Sequence, residues 1–274
     1  MGDSSTSESP PPTDLGCVRI VDSRERAERE VAGQVQDCIE ACRRAGTEAV
    51  LGLATGGSMT GLLAECVRLH TDGDLSFEGV RTFNLDEYLG LPPGHGASFH
   101  AFMQEHLFGS VDLDGVRSFV PDADLAQAEP TAYAAAWEAA IEASGGMDLQ
   151  LLGLGENGHV AFNEPGSAAD SRARVVDLAQ KTRRAAADGF GGLDQVPSRA
   201  FTAGIATIRA ARCLRLLAFG ERKAAAVRGM LMGPVDEAVP ASLIRDHPDL
   251  EVWLDPAAAS KLDPSQLPDG AWVR

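Results

Sequence analysis

Three short segments of the 274-residue chain gather polar side chains, two of them beside glycines, at spacings suited to chemistry. The first is Thr55-Gly56-Gly57-Ser58. Its glycines let backbone N–H groups approach an anion closely, and the flanking hydroxyls add donors. It lacks the lysine of a Walker loop and the third glycine of a dinucleotide fingerprint. A Gly-Gly turn also arises for structural reasons alone, and local sequence leaves both readings open. The second segment is Phe83-Asn84-Leu85-Asp86-Glu87-Tyr88. On extended backbone Asp86 and Glu87 point to opposite sides, so they are not a two-carboxylate acid/base pair. One is free to face a cleft as a general base while the other serves a cap or turn. His100, downstream in Ser98-Phe99-His100, is given no role. The third segment carries Glu156-Asn157-Gly158-His159 and, after Val160-Ala161-Phe162-Asn163, Glu164. A histidine oriented by a carboxylate on a glycine-rich loop shuttles protons near neutral pH. Lys223 is a fourth candidate, at a helix start where the dipole disfavours a cation unless an anion meets it. An ordinary surface lysine beside Glu221 and Arg222 is the alternative.

The elements around these segments alternate. Residues 17–21 read as a strand, and residues 24–44 place Ala27, Val31, Val35, Cys38 and Cys42 on one helix face, stopped by Gly46. Residues 49–54 suit a strand buried on both faces, followed by a helix over 59–69. Further apolar runs at 80–83, 149–154, 214–219 and 251–254 are separated by helical stretches, notably 130–143 and 222–232. This order predicts an α/β fold: a single-domain, open, mainly parallel sheet with helices on both faces, Rossmann-like. Ligands of such sheets bind beyond the carboxyl ends of strands, where all three segments fall. With no repeat or linker, residues 17–274 form one domain behind a disordered tail over residues 1–16.

Composition excludes several classes. The net charge is −16, from 24 Lys+Arg against 40 Asp+Glu. Such a surface repels nucleic acid and anionic membrane, and no basic cluster offsets it. It also repels a phosphorylated ligand at long range, so a site for one must be locally positive. No apolar run approaches the ~20 residues that span a bilayer. No signal peptide is read, and a cytoplasmic location is expected. The opening Met1-Gly2-Asp3-Ser4-Ser5-Thr6 formally fits a myristoylation pattern, which the Ala-rich, bacterial-looking composition marks as chance. Cys17, Cys38, Cys42, Cys66 and Cys213 are scattered, and none completes a zinc pattern, so free thiols are expected and no metal.

With these segments in view, the chain resembles the glucosamine-6-phosphate deaminase family, which shares a fold group with the 6-phosphogluconolactonases. The matching motifs run in order between about residues 49 and 259. They are Leu-Gly-Leu-Ala-Thr-Gly-Gly-Ser, Phe-Asn-Leu-Asp-Glu-Tyr-Leu-Gly-Leu, Gly-Glu-Asn-Gly-His-Val-Ala-Phe-Asn-Glu-Pro-Gly-Ser and Pro-Ala-Ser-Leu-Ile-Arg-Asp-His. The Phe-Asn-Glu-Pro continuation separates deaminases from lactonases.

The resemblance implies a role for each candidate. His159, oriented by Glu164 and assisted by Asn157, moves a proton between O1 and O5 to open a pyranose ring. Asp86 takes the C2 proton and returns it at C1, after which ammonia leaves and fructose 6-phosphate remains. Thr55, Gly56, Gly57, Ser58 and Lys223 hold the phosphate. No metal or organic cofactor is implied, because the substrate's carbonyl and amine supply the electron sink. The implied partner is a small amino sugar phosphate, and homo-oligomers occur in the family.

Two departures stand out. Family members carry Asp or Asn at position 157; Asn cannot share a proton and only orients His159. Where members have a phosphate-binding arginine, this chain aligns Asp188, with Arg183 and Arg184 as the nearby cations. An amino sugar with a displaced or missing phosphate is therefore a second expectation, as for a paralogue in specialised metabolism. The family's allosteric phosphate site is matched only by Ser167 and Arg174, so allosteric control is not expected. A lactonase and a non-catalytic sugar-phosphate sensor are the remaining rivals. For a DNA-binding sensor, the acidic residues 1–16 supply no DNA-binding segment.

Overall fold

The apolar runs of the sequence become the strands of one open sheet. The structure, a computed structural model, describes residues 18–92, 94–267 and 271; the tail read over residues 1–16 and Cys17 lie outside them. The elements run β1 (Val18–Ile20), α1 (Arg24–Ala45), β2 (Val50–Leu53), α2 (Thr60–Thr71), β3 (Arg81–Asn84), β4 (Asp86–Tyr88), α3 (Phe99–His106) and β5 (Ser118–Phe119). Then come α4 (Ala123–Ala128), α5 (Pro130–Ala143), β6 (Leu149–Gly153), β7 (Arg174–Asp177), α6 (Gln180–Ala186) and β8 (Arg199–Thr202). The chain closes with α7 (Ile205–Arg209), β9 (Cys213–Ala218), α8 (Ala224–Met232) and β10 (Leu250–Leu254).

Seven strands form the main sheet in the order β1-β10-β9-β6-β2-β3-β5, with every neighbouring pair parallel. Every residue of β2 is buried, as a strand covered on both faces requires. On one face Phe83 stacks on Phe119 and meets Trp137 of α5 edge-on. The helix α1 is fixed at both ends by its sequence. Ser23 caps its start by accepting from Arg26 N, and Gly46 takes the left-handed φ of 71° at its end. After β2 the chain moves outward to β3 and β5, then returns to β6 on the other side. The loops after β2 and β6 therefore diverge, leaving a crevice at this switch point.

A second, smaller sheet departs from the expectation of a single sheet. Strands β4, β8 and β7 pair antiparallel in that order, with Asp86 opposite Thr202. They are short and polar (β4 is Asp-Glu-Tyr), so apolar runs do not reveal them. Their packing comes from aromatics far apart in the chain: Tyr88, Phe99, Phe162 and Phe190 contact one another around buried Leu178, Val196 and Ala200. Helix α6 joins this cluster through Ala186.

The described cysteines Cys38, Cys42, Cys66 and Cys213 are free thiols. Burial pushes Cys38 and Cys66 up to about 12, so they are inert at neutral pH. Among the described residues, no helix is long and apolar enough to cross a membrane, and no group of three or more His, Cys, Asp or Glu is placed to hold a metal.

Candidate active site

Four neighbouring strands, β9, β6, β2 and β3, send their following loops to one cavity of about 590 Å³, within the range of small-molecule sites. Thr55, Gly56, Gly57 and Ser58 line it after β2, Asp86 after β3, Asn157 and His159 after β6, and Lys223 after β9. Glu164 does not line the cavity. It stands behind His159, in contact with its ring.

That carboxylate gathers four groups. Its Oε2 accepts from Asn157 Nδ2 at 2.7 Å and lies 3.6 Å from His159 Nδ1. Its Oε1 accepts from the Thr182 hydroxyl and, at 3.4 Å, from Ala179 N. Burial alone would raise Glu164, but interaction with His159, Thr182 and Asn157 outweighs it and holds the carboxyl at about 2. Glu164 is therefore a fixed negative charge throughout the neutral range. At 3.6 Å the histidine contact is an ion-pair distance, and a small ring movement closes it to a hydrogen bond. Asn157 also accepts from His159 N at 3.3 Å, so it orients the loop as its chemistry demands.

The His159 ring lies flat over Gly155, where a Cβ would stand 2.4–2.5 Å from three ring atoms. Only glycine permits that approach. Between them Gly158 takes φ 87°, and Ala161, which lines the cavity, takes φ 50°. A non-glycine residue held there is a strained position of the kind found at functional sites.

Asp86 and Glu87 separate as extended backbone requires. Asp86 faces the cavity, and burial together with the charge of Glu87 raises its pKa well above the ordinary 3.8. Glu87 turns the other way and accepts from Tyr88 N, Phe99 N and His100 N at 2.8–2.9 Å, capping the start of α3. His100 itself is exposed. A buried carboxyl with a raised pKa is a stronger base once ionised, which suits proton abstraction beside a carbonyl.

The 55–58 loop turns through Gly56 at φ 92° and is held from behind. Arg24 donates to Gly57 O at 2.5 Å and to Glu28 Oε1 at 2.6 Å. Helix α2 then starts with no side-chain cap and no acidic residue in its first turn, so its opening N–H groups face the loop unneutralised. Lys223 is half-buried; burial pushes its pKa down, the Lys181 ammonium adds to that, and Glu156 opposes it.

Several lining residues lie outside the motifs, namely Lys181, Thr182 and Arg184 from α6 and Phe99, while Tyr88 and Phe162 line the cavity from within them. The Lys-Thr-Arg-Arg run signals basic character but not which side chain turns inward. Arg184 lines the cavity, whereas Arg183 donates to Leu193 O and Val196 O at 2.9–3.3 Å and is occupied there. Asp188 is exposed on a short turn and does not line the cavity. Arg174 donates to Asn163 Oδ1 at 3.0 Å and to Ser167 Oγ at 3.1 Å.

The model of the family described as glucosamine-6-phosphate isomerases and 6-phosphogluconolactonases matches residues 22–253. The glucosamine-6-phosphate deaminase of Rhodopirellula baltica is 46% identical over 246 residues, 90% of this chain and 96% of that one. A solved structure described as a monomeric glucosamine-6-phosphate deaminase is 38% identical with a TM-score of 0.84, covering 88% of this chain and 99% of its own. A 6-phosphogluconolactonase from Trypanosoma cruzi, 21% identical, has a TM-score of 0.73 and covers 92% of this chain and 98% of its own, a likeness of fold alone.

Proposed function

This chain belongs to the family of glucosamine-6-phosphate isomerases and 6-phosphogluconolactonases, and from that premise we propose that it converts glucosamine 6-phosphate and water to fructose 6-phosphate and ammonia. The observation that carries the proposal is the presence of two independent proton-handling groups on one cavity: Asp86, and His159 backed by Glu164.

The steps follow from those positions. His159 takes the O1 proton of the bound pyranose and returns it to O5, so the C1–O5 bond breaks and an aldehyde forms at C1. The negative charge of Glu164 stabilises the imidazolium formed in between. Asp86, as carboxylate, removes the C2 proton; the electron pair forms a C1=C2 bond, and O1 takes a proton from the C2 ammonium group, giving an enolamine. Asp86 returns its proton to C1, leaving a C2 iminium. Water adds at C2 and ammonia departs, which completes the ketose. The substrate's own C1 carbonyl accepts the electrons of the C2–H bond, and the C2 iminium accepts those of the attacking water. The 55–58 loop and Lys223 hold the phosphate, with backbone N–H groups and an ammonium supplying charge-assisted donors. A phosphorylated substrate also places the reaction in the cytoplasm.

Purified protein is expected to release ammonia and fructose 6-phosphate in equal amounts from glucosamine 6-phosphate. Asp86→Asn is expected to lower kcat about 10²- to 10⁴-fold, as for a lost general base. No turnover at millimolar substrate from folded protein overturns the assignment. Light scattering on the same sample distinguishes a monomer from the homo-oligomer that the family also allows.

A further inference from the structure

We propose that Lys181 and Arg184 on α6 form the outer jaw of a phosphate clamp that faces the 55–58 loop and Lys223, and so select phosphorylated over unphosphorylated amino sugars. This deepens the deaminase reading and rests on it for the identity of the sugar. Lys181 and Arg184 are three residues apart, which places them on one helix face, and both line the cavity together with Thr182 and Ala185.

Their grouping at one opening sets them apart. In this chain of net charge −16, many arginines outside the cavity are tied to carboxylates, as at Arg68 with Glu65, Arg81 with Glu48, Arg212 with Asp148 and Arg215 with Asp249, and others, such as Arg199 and Arg228, are exposed and do not line the cavity. Lys181, Arg184, Arg222 and Lys223 all line one opening, and none of their side chains makes a hydrogen bond or ion pair with a described residue. Lys181 is also near enough to Lys223 to disfavour its charged form. Glu156, which lines the same opening, offsets Lys223 in part, but the four cations outnumber the lining carboxylates Asp86 and Glu156, and a dianion among them relieves the remaining repulsion.

Phosphate matches the donors on the two sides. The inner wall offers backbone N–H groups and the Lys223 ammonium. The guanidinium of Arg184 adds a planar fork suited to two phosphate oxygens, and Lys181 a second point charge. Positive charge thus reaches the site one helical turn before position 188, where the sequence supplies none. Thr182, between the two cations, is bonded to Glu164, so the helix that carries the jaw is also tied to the carboxylate behind His159.

The test uses the full chain, inorganic phosphate as calorimetric probe, and the variants Lys181→Ala/Arg184→Ala and Arg184→Lys. The double variant is expected to raise the Kd for phosphate about 10- to 100-fold, with an equal fall in kcat/KM for glucosamine 6-phosphate. Arg184→Lys is expected to keep part of the affinity. An unchanged phosphate Kd overturns the clamp, whether or not turnover falls, because the two residues would then only hold α6 in place. A weakened phosphate Kd in a protein whose wild type forms no ammonia upholds the clamp and sinks the deaminase reading instead. Should the double variant lose its cooperative melting transition, the single variants Lys181→Gln and Arg184→Gln decide by the same phosphate titration.

Discussion

At the scale of single residues, the two carboxyls of the site have opposite linkages to stability. Asp86 is held well above its ordinary 3.8 by burial and by Glu87, so the folded chain binds its proton more tightly than the unfolded chain does. Stability therefore falls as pH rises from near 4 through the raised folded value, and it stays lower above that. Glu164 is held down at about 2 from an ordinary 4.5, so it stabilises the fold above 4.5, and that contribution is lost as pH falls towards 2. Asp86→Asn removes a charge that the fold disfavours. It is expected to be nearly inactive yet to melt higher than wild type at pH 7, by about 2–4 °C for each kcal/mol relieved. Melting scans between pH 5 and 8 check this, and a lower Tm at pH 7 would show that Asp86 is stabilised by partners its burial does not reveal. The same sign bears on the proposed mechanism: with Asp86 as the base, the acidic limb of kcat/KM is expected above the ordinary carboxylate range.

At the scale of elements, the site depends on how α1 grips a loop it does not belong to. Arg24, the first residue of α1, crosses to Gly57 O, while its guanidinium lies 5.2 Å from the centre of the Phe219 ring. Glu28, 6% exposed, packs where a side chain at Gly61 would stand. Arg24→Gln is expected to raise KM for glucosamine 6-phosphate about 10-fold with little change in kcat, the size of one charge-assisted hydrogen bond. Steady-state kinetics separate the outcomes, and a fall in kcat at constant KM would remove Arg24 from phosphate-loop positioning. Legibility in the sequence follows the same division. Strands β2, β6 and β9 are short, mostly apolar runs, and they are readable with the loops that follow them. Asp86, His159 and the 55–58 loop meet because they follow the neighbouring parallel strands β3, β6 and β2. The small β4-β8-β7 sheet is not readable, since its strands are short and its aromatic contacts join residues as far apart as Tyr88 and Phe190. Lys181 and Arg184 are hidden for the same reason: α6 has seven residues, too few for a periodic face, and its orientation is set by that aromatic cluster.

At the scale of the whole molecule, a chain of net charge −16 holds a cavity lined by four cations that make no hydrogen bond or ion pair with a described residue. The Debye length shrinks from about 30 Å at 0.01 M salt to about 8 Å at 0.15 M. At low salt the outer repulsion reaches an approaching dianion before the cavity attracts it. The value of kcat/KM is accordingly expected to rise between about 10 and 150 mM ionic strength and to fall beyond, as the inner attraction is screened in turn. A steady fall from the lowest salt would show that the acidic surface has no part in capture. Cations gathered in a cavity of a chain with net charge −16 also discriminate among anions by length. Each phosphate left outside the cavity adds repulsion from the acidic remainder of the chain, so short anions are favoured over oligonucleotides and polyphosphates without any gate.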